Sequence, residues 1–220
     1  DCLTAHTNIA IGCAAGCCLS SGDGNTILGP NAAPNLTTGG DNIIFGRAAY
    51  NLVSGDGNFI AGYAAGAQVT ANDVVAIGRY AGKCAGASSI AIGWAGGYNN
   101  TGANNIHIGY ESGYGVAGSS TGSSNVAIGY HTLHDNCGGQ NNVVVGHQAG
   151  CLISSGSSNM LFGYRAGRNI TTGSGNLVMG YQVEAASASG DCQLAIGYQT
   201  NRWITGDSSW HIQPGAGIRD

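Results

Sequence analysis

Only 8% of the 220 residues are charged, 7 Lys+Arg against 11 Asp+Glu, for a formal net charge of −4. Cations so few and so scattered make no basic stripe along which a phosphate backbone could run, so nucleic acid is excluded as a partner. No stretch of 18 apolar residues occurs, and membrane insertion is excluded with it. Proline is held to 3 residues. Catalytic signatures are missing as well: there is no Walker loop, no His-Glu-x-x-His and no Cys-x-x-Cys pair for zinc. The glutamates are Glu111 and Glu184 alone, far apart in sequence. Neither an enzymatic activity nor a cofactor is expected. The first residues, Asp1-Cys2-Leu3-Thr4, carry no Met, charged n-region or apolar h-region, and read as the interior of a longer polypeptide or as a processed end.

Glycine is abundant instead, at 40 residues, and one phrase organises it. A polar residue, usually Asn, precedes three mostly apolar residues, a glycine, then an aromatic or basic residue and a small one. The anchoring glycines are Gly12, Gly29, Gly46, Gly62, Gly78, Gly93, Gly109, Gly129, Gly146, Gly163, Gly180 and Gly197, at intervals of 15 to 20 residues. A period this regular predicts a solenoid whose repeats are coils stacked on their neighbours. Interior glycine costs a helix about 1 kcal/mol relative to alanine but suits tight corners. The expectation is an all-β chain: a parallel β-solenoid, or β-roll, of about twelve coils of 15–20 residues over 1–200, roughly 55 to 60 Å long at one strand spacing per coil. Residues 201–220 form a C-terminal cap or linker, with Trp203 and Trp210 available to cover the open end.

The triplets before the glycines, such as Ile43-Ile44-Phe45, Val75-Ala76-Ile77 and Val143-Val144-Val145, read as short strands. Their first and third residues share one face and the middle residue takes the other. Both faces are apolar, so both need cover. The middle residues Ile27, Ile44, Ile60, Val144, Leu161 and Val178 are expected to form an exposed stripe, and a stripe of that length is an interface. Closure into a ring predicts a homotrimer about a long axis. His107 stands in that column where other coils place apolar groups, as a hydrogen-bonded or ion-binding axial residue or as one of no special role.

Asn stands four residues before the glycine in nine coils, at Asn8, Asn25, Asn42, Asn58, Asn105, Asn125, Asn142, Asn159 and Asn176, where a stacked ladder would satisfy corner backbone groups. After the glycine an aromatic column runs through Tyr63, Trp94, Tyr110, Tyr130, Tyr164, Tyr181 and Tyr198. It serves either as a sugar-facing surface or, more plainly, as stacked packing at the coil edge. Asp23, Asp41, Asp56 and Asp73 recur at nearly one phase, about 5 Å apart if stacked; such a column either binds a cation such as calcium or splays into solvent, the preferred reading. His131, His134 and His147 cluster loosely, as surface histidines or metal ligands would. The even count of 8 cysteines points to an oxidising, extracellular setting. Spacing on the repeat nominates Cys2 with Cys18 and Cys137 with Cys151 as coil-to-coil disulfides, leaving Cys84 and Cys192 for inter-chain or terminal bonds, or as free buried thiols.

Strings such as Ser124-Asn125-Val126-Ala127-Ile128-Gly129 resemble the repeat in the heads of trimeric autotransporter adhesins, which form parallel β-rolls in a trimer. The Gly-Tyr-x-Ala-Gly and Thr-Thr-Gly-Ser-x-Asn phrases are more similar still to repeats of phage tail fibres and related bacterial surface proteins. There the repeats often precede a self-cleaving chaperone that assembles the trimer, and the stretch from Trp203 to Asp220 is similar to segments found just after such repeats. The resemblance implies a structural or adhesive fibre segment of a phage tail fibre or virion appendage, assembled with itself and with adjoining fibre proteins, reaching a host-surface glycan or protein receptor. The alternatives are a bacterial cell-surface adhesin or extracellular filament subunit and, further off, a polysaccharide-cleaving spike. All of them place the chain outside the cell.

Overall fold

Each apolar triplet forms a strand that ends at or runs through its glycine. The computed structural model describes residues 7–209 and 211–214, and among them there is no helix. The strands are β1 (Ile9–Ile11), β2 (Thr26–Leu28), β3 (Ile43–Phe45), β4 (Phe59–Ala61), β5 (Val75–Ile77), β6 (Ile90–Ile92), β7 (Ile106–Ile108), β8 (Val126–Ile128), β9 (Val143–Val145), β10 (Met160–Phe162), β11 (Leu177–Tyr181), β12 (Leu194–Tyr198), β13 (Asn201–Gly206) and β14 (Ile212–Pro214). They make one sheet in sequence order, parallel from β1 to β12. The fold is therefore a parallel β-solenoid of about eleven turns, with one short strand per coil and turns for the remainder.

The register is fixed residue for residue: Val143 lies beside Met160, Val144 beside Leu161 and Val145 beside Phe162. Outside the strands the ladder continues, because turn amides also donate one coil onward or back, as Ala49 does to the Ala65 carbonyl and Gln148 to that of Tyr130. Each coil thus satisfies its backbone on its neighbours, the requirement that any buried chain must meet.

The middle strand residues point inward, which corrects the expected exposed stripe. Ile27, Ile44, Ile60, Val144, Leu161 and Val178 are all fully buried inside the chain's own coil. The outward face carries the first and third residues, among them Ile9, Ile11, Ile43, Met160 and Met179, which are exposed. The physical reason is parity. Asn precedes the triplet, its amide must be buried to ladder, and side chains alternate along a strand; a buried Asn25 therefore brings Ile27 in and turns Thr26 and Leu28 out. Two further columns complete the core. One is of small residues such as Ala32, Ala48, Ala65, Ala149 and Ala166; the other, of Leu36, Leu52, Val69, Ile153 and Ile170, lies seven residues after most glycines.

The apolar core is in two lengths, one from Ile27 to Ala85 and one from Ala127 to Ala195. Between them the inward positions are small or polar. Ala91 and Ala95 are buried there with Asn100, His107 and Ser112, and Ser112 Oγ donates to the Ala127 carbonyl at 2.7 Å and lies 3.0 Å from Oγ1 of the buried Thr132.

At the C-terminal end the chain reverses. β13 pairs antiparallel with β12 and β14 antiparallel with β13. This hairpin covers the last strand edge, as a solenoid cap must. Trp203 does not close the stack as expected, since it is 53% exposed; Trp210 lies outside the described residues.

Candidate functional site

The Asn column forms a hydrogen-bonded ladder in two runs. Asn42 Nδ2 donates to Asn25 Oδ1 at 3.0 Å and to the Gly55 carbonyl at 2.9 Å, while Asn42 Oδ1 accepts from Asn58 N and Nδ2 at 3.0 and 2.9 Å. The side-chain-to-side-chain bond repeats from Asn125 through Asn176, and Gln193 takes the next place. Val74 and Ser89 interrupt it, yet Asn58 Oδ1 still accepts the Val74 amide at 2.9 Å and Ser89 Oγ the Asn105 amide at 3.2 Å. These residues hold the coil corner rather than a ligand.

The aromatic column stacks on itself. Ring centroids from Trp94 through Tyr110, Tyr130, His147, Tyr164, Tyr181 and Tyr198 are 4.7 to 5.2 Å apart, with planes 12° to 24° from parallel. A sugar docks on a ring face, and here the faces are taken by the neighbouring rings, leaving edges and hydroxyls to solvent. Tyr63 meets Tyr80 edge-on and has the guanidiniums of Arg47 and Arg79 at 5.7 and 5.5 Å from its centroid. Of the two expected readings, this geometry fits stacked packing at the coil edge.

The four aspartates are not one column. Asp23 and Asp56 stand two residues before the strand-preceding position, Asp41 and Asp73 one residue before it, with φ of 56° and 58°. Their carboxylates serve turns: Asp23 Oδ1 accepts from Thr7 N and Oγ1 at 2.9 and 2.6 Å and from its neighbour Gly24 N at 2.9 Å, and Asp56 Oδ1 accepts from Gly40 N at 2.7 Å.

Cys137 and Cys151 are free thiols, against the expected bond. Stacking pairs them with other residues, since Cys137 N donates to the Ser154 carbonyl and Asp135 N to that of Cys151. Cys18 is also free, and Cys2 lies outside the described residues. Cys84 and Cys192 are free as well, Cys84 Sγ donating to Gln68 Oε1 at 3.0 Å. Burial pushes the Cys84 and Cys151 thiols up in pKa, which favours their protonated form.

His107 is buried in the chain's own core, not on an axis, and its Nε2 has no partner. Burial lowers its pKa from 6.5 to about 4. A base depressed in the folded state takes its proton less readily than the unfolded chain does. Stability is therefore complete above about pH 6.5 and falls between there and pH 4, by about 3 kcal/mol. Leu161 occupies the equivalent place, wedged between Gly150 and Gly167 as His107 is between Gly97 and Gly113. His107→Leu is expected to raise the melting temperature at pH 7, by relieving an orphaned polar atom worth about 1 to 3 kcal/mol, and to flatten the acid limb. Thermal melts at pH 7 and 4.5 check both; an unchanged acid slope would refute the assignment.

Two groupings were not legible in sequence. Arg165, Arg168 and Arg202, three of the seven cations, line one groove of about 420 Å³ beside the C-terminal hairpin, with Gln182, Glu184, Gln199 and Thr200. Guanidiniums so gathered suit anionic groups such as carboxylates. Their spacing shows no motif; only the coil register brings them together. The second grouping joins Glu111, remote in sequence, to His131 and His134, with three ligand atoms within 4.8 Å of one another; His147 instead joins the aromatic stack. The string Gly118-Ser119-Ser120-Thr121-Gly122 has the spacing of a nucleophile elbow, but Ser120 Oγ is buried, accepting from Val116 N at 2.6 Å and donating to the Asn136 carbonyl at 2.8 Å. That serine closes a turn.

These features define the class as a single-stranded-per-coil parallel β-solenoid. No protein-family model, no curated protein and no solved structure matches the chain.

Proposed function

We propose that the chain is a structural and adhesive segment of an extracellular fibre, of the phage tail-fibre or virion-appendage kind. In this reading it works as a homotrimer, holds a receptor-contacting tip away from the particle or itself touches the host surface, and has no enzymatic activity. The observation that carries the reading is the outward face of the sheet. Along the stack the first and third strand residues are apolar except for Thr26, from Ile9 and Ile11 through Ile106 and Ile108 to Leu194 and Ile196, while the inward face is already filled within the chain. Full burial is worth about 1.5 to 3 kcal/mol to an exposed side chain of this kind and a fraction of that to the half-buried ones, so a face running the length of a rod drives association. Parallel coils about one axis then give a stiff rod whose length is set by the coil count.

Sedimentation of the purified chain tests this. Three chains per particle are expected for the native sequence. Ile77→Lys with Val145→Lys is expected to yield single chains that keep their β-sheet circular dichroism, because both side chains lie on the outward face and are only half-buried. A native chain that sediments as a well-folded monomer would overturn the reading.

A further inference from the structure

Glu111 and His131 each stand two residues after an anchoring glycine, Gly109 and Gly129, in the left-handed conformation with φ of 50°. The coil register therefore stacks them, His131 N donating to the Tyr110 carbonyl at 2.9 Å, and His134 follows within the same turn. This is where the repeat interval reaches its longest value, 20 residues. The excess is taken up further along the coil, and the corner stays aligned.

We propose that Glu111, His131 and His134 form a binding site for one divalent transition-metal ion per chain, of the zinc class. His134 Nδ1 lies 2.6 Å from Asp135 Oδ1. A carboxylate only accepts, so Nδ1 carries the hydrogen and the Nε2 lone pair is the one turned to Glu111 Oε2, 3.7 Å away. His131 Nε2 reaches the same oxygen at 2.5 Å. By the same rule His131 Nε2 carries a hydrogen and donates it to Glu111 Oε2 in the ion-free site; a cation would displace that proton, and all three converging atoms would then face it. Two imidazoles and a carboxylate are a donor set suited to zinc, leaving a fourth position for water. In a tetrahedral site with bonds of about 2.0 to 2.1 Å the ligand atoms stand about 3.3 Å apart, a value the observed 2.5 and 3.7 Å bracket. The imidazoles now stack at 4.7 Å with planes 9° apart, so closing the site needs them to lean together. Asp135 does for His134 what a second-shell carboxylate does at a zinc site: it fixes the tautomer and the ring direction. The ion would clamp the coil of β7 to that of β8 beside the polar break in the core.

The test is equilibrium dialysis of the untagged full chain against zinc, thiols alkylated, followed by metal analysis. One zinc per chain is expected. His131→Ala with His134→Ala should abolish it while leaving the circular dichroism unchanged, and Asp135→Asn should weaken binding roughly 10- to 100-fold. Calcium and magnesium should not compete. Retention no greater than that of the double variant overturns the proposal, as does displacement of zinc by calcium.

Discussion

Gly146→Ala is expected to cost upwards of about 4 kcal/mol and to leave the chain unable to complete its stack at 37 °C. The glycine has φ of 134°, a region closed to residues with a side chain and worth about 1 to 3 kcal/mol of strain by itself. A Cβ there would lie on the Gly163 carbonyl, its carbon only 2.6 Å away. What it meets is backbone of the next coil, which no rotamer change can move, so relief requires breaking the strand ladder between β9 and β10. Gly138→Ala is the matched control: no atom lies within 4 Å of its Cβ and its φ is not positive, so the change should be neutral or stabilising by up to about 1 kcal/mol. Urea unfolding of the two variants distinguishes them. Equal stabilities would remove the steric account of the repeated glycine.

Asn142→Ala should come next, at about 3 to 5 kcal/mol. Its amide is fully buried and makes four bonds: Nδ2 to Asn125 Oδ1 and to the Gly156 carbonyl, both at 3.0 Å, and Oδ1 from Asn159 N at 2.9 Å and Nδ2 at 3.0 Å. The neighbouring side chains keep other partners, Asn125 Oδ1 accepting from Asn142 N and Asn159 Nδ2 donating to the Gly173 carbonyl. The groups stranded are the Gly156 carbonyl and the Asn159 amide, and each costs about 1 to 3 kcal/mol when left without a partner. Asn142→Ser should recover part of the loss, because Ser89 in the same column accepts the Asn105 amide at 3.2 Å and approaches the Gly102 carbonyl at 3.5 Å. A serine variant no more stable than the alanine one would contradict the hydrogen-bond account.

The repeat made most of the architecture readable. Glycine spacing alone places all twelve parallel strands, since Ile9-Ala10-Ile11 and its counterparts sit where the period puts them. The inward strand face is the one the sequence reading gets wrong, though the signal is present: a laddering Asn must be buried, and parity then settles Ile27, Ile44 and Leu161. The column of Leu36, Leu52 and Ile153 escapes notice because it lies in turns, where no strand alternation marks it. Side-chain groupings are harder to read for a different reason. Glu111 meets His131 across 20 residues, and Arg202 joins Arg165 by way of an antiparallel reversal, so neither neighbourhood exists until the register is known to the residue. The expected pairing of Cys137 with Cys151 fails on the same point, a difference of three positions in phase.

Each coil offers its neighbours nearly the same arrangement above and below: an inward Asn, a small corner residue and a glycine packed against the backbone carbonyl of the next coil's glycine. A coil inserted or deleted in the middle would therefore meet familiar surroundings on both sides and change the rod by one step of about 4.8 Å. Duplication of a single 17-residue unit lengthens such a molecule without redesigning it, so reach can be adjusted by unequal recombination while the terminal hairpin still caps whatever number of steps precedes it.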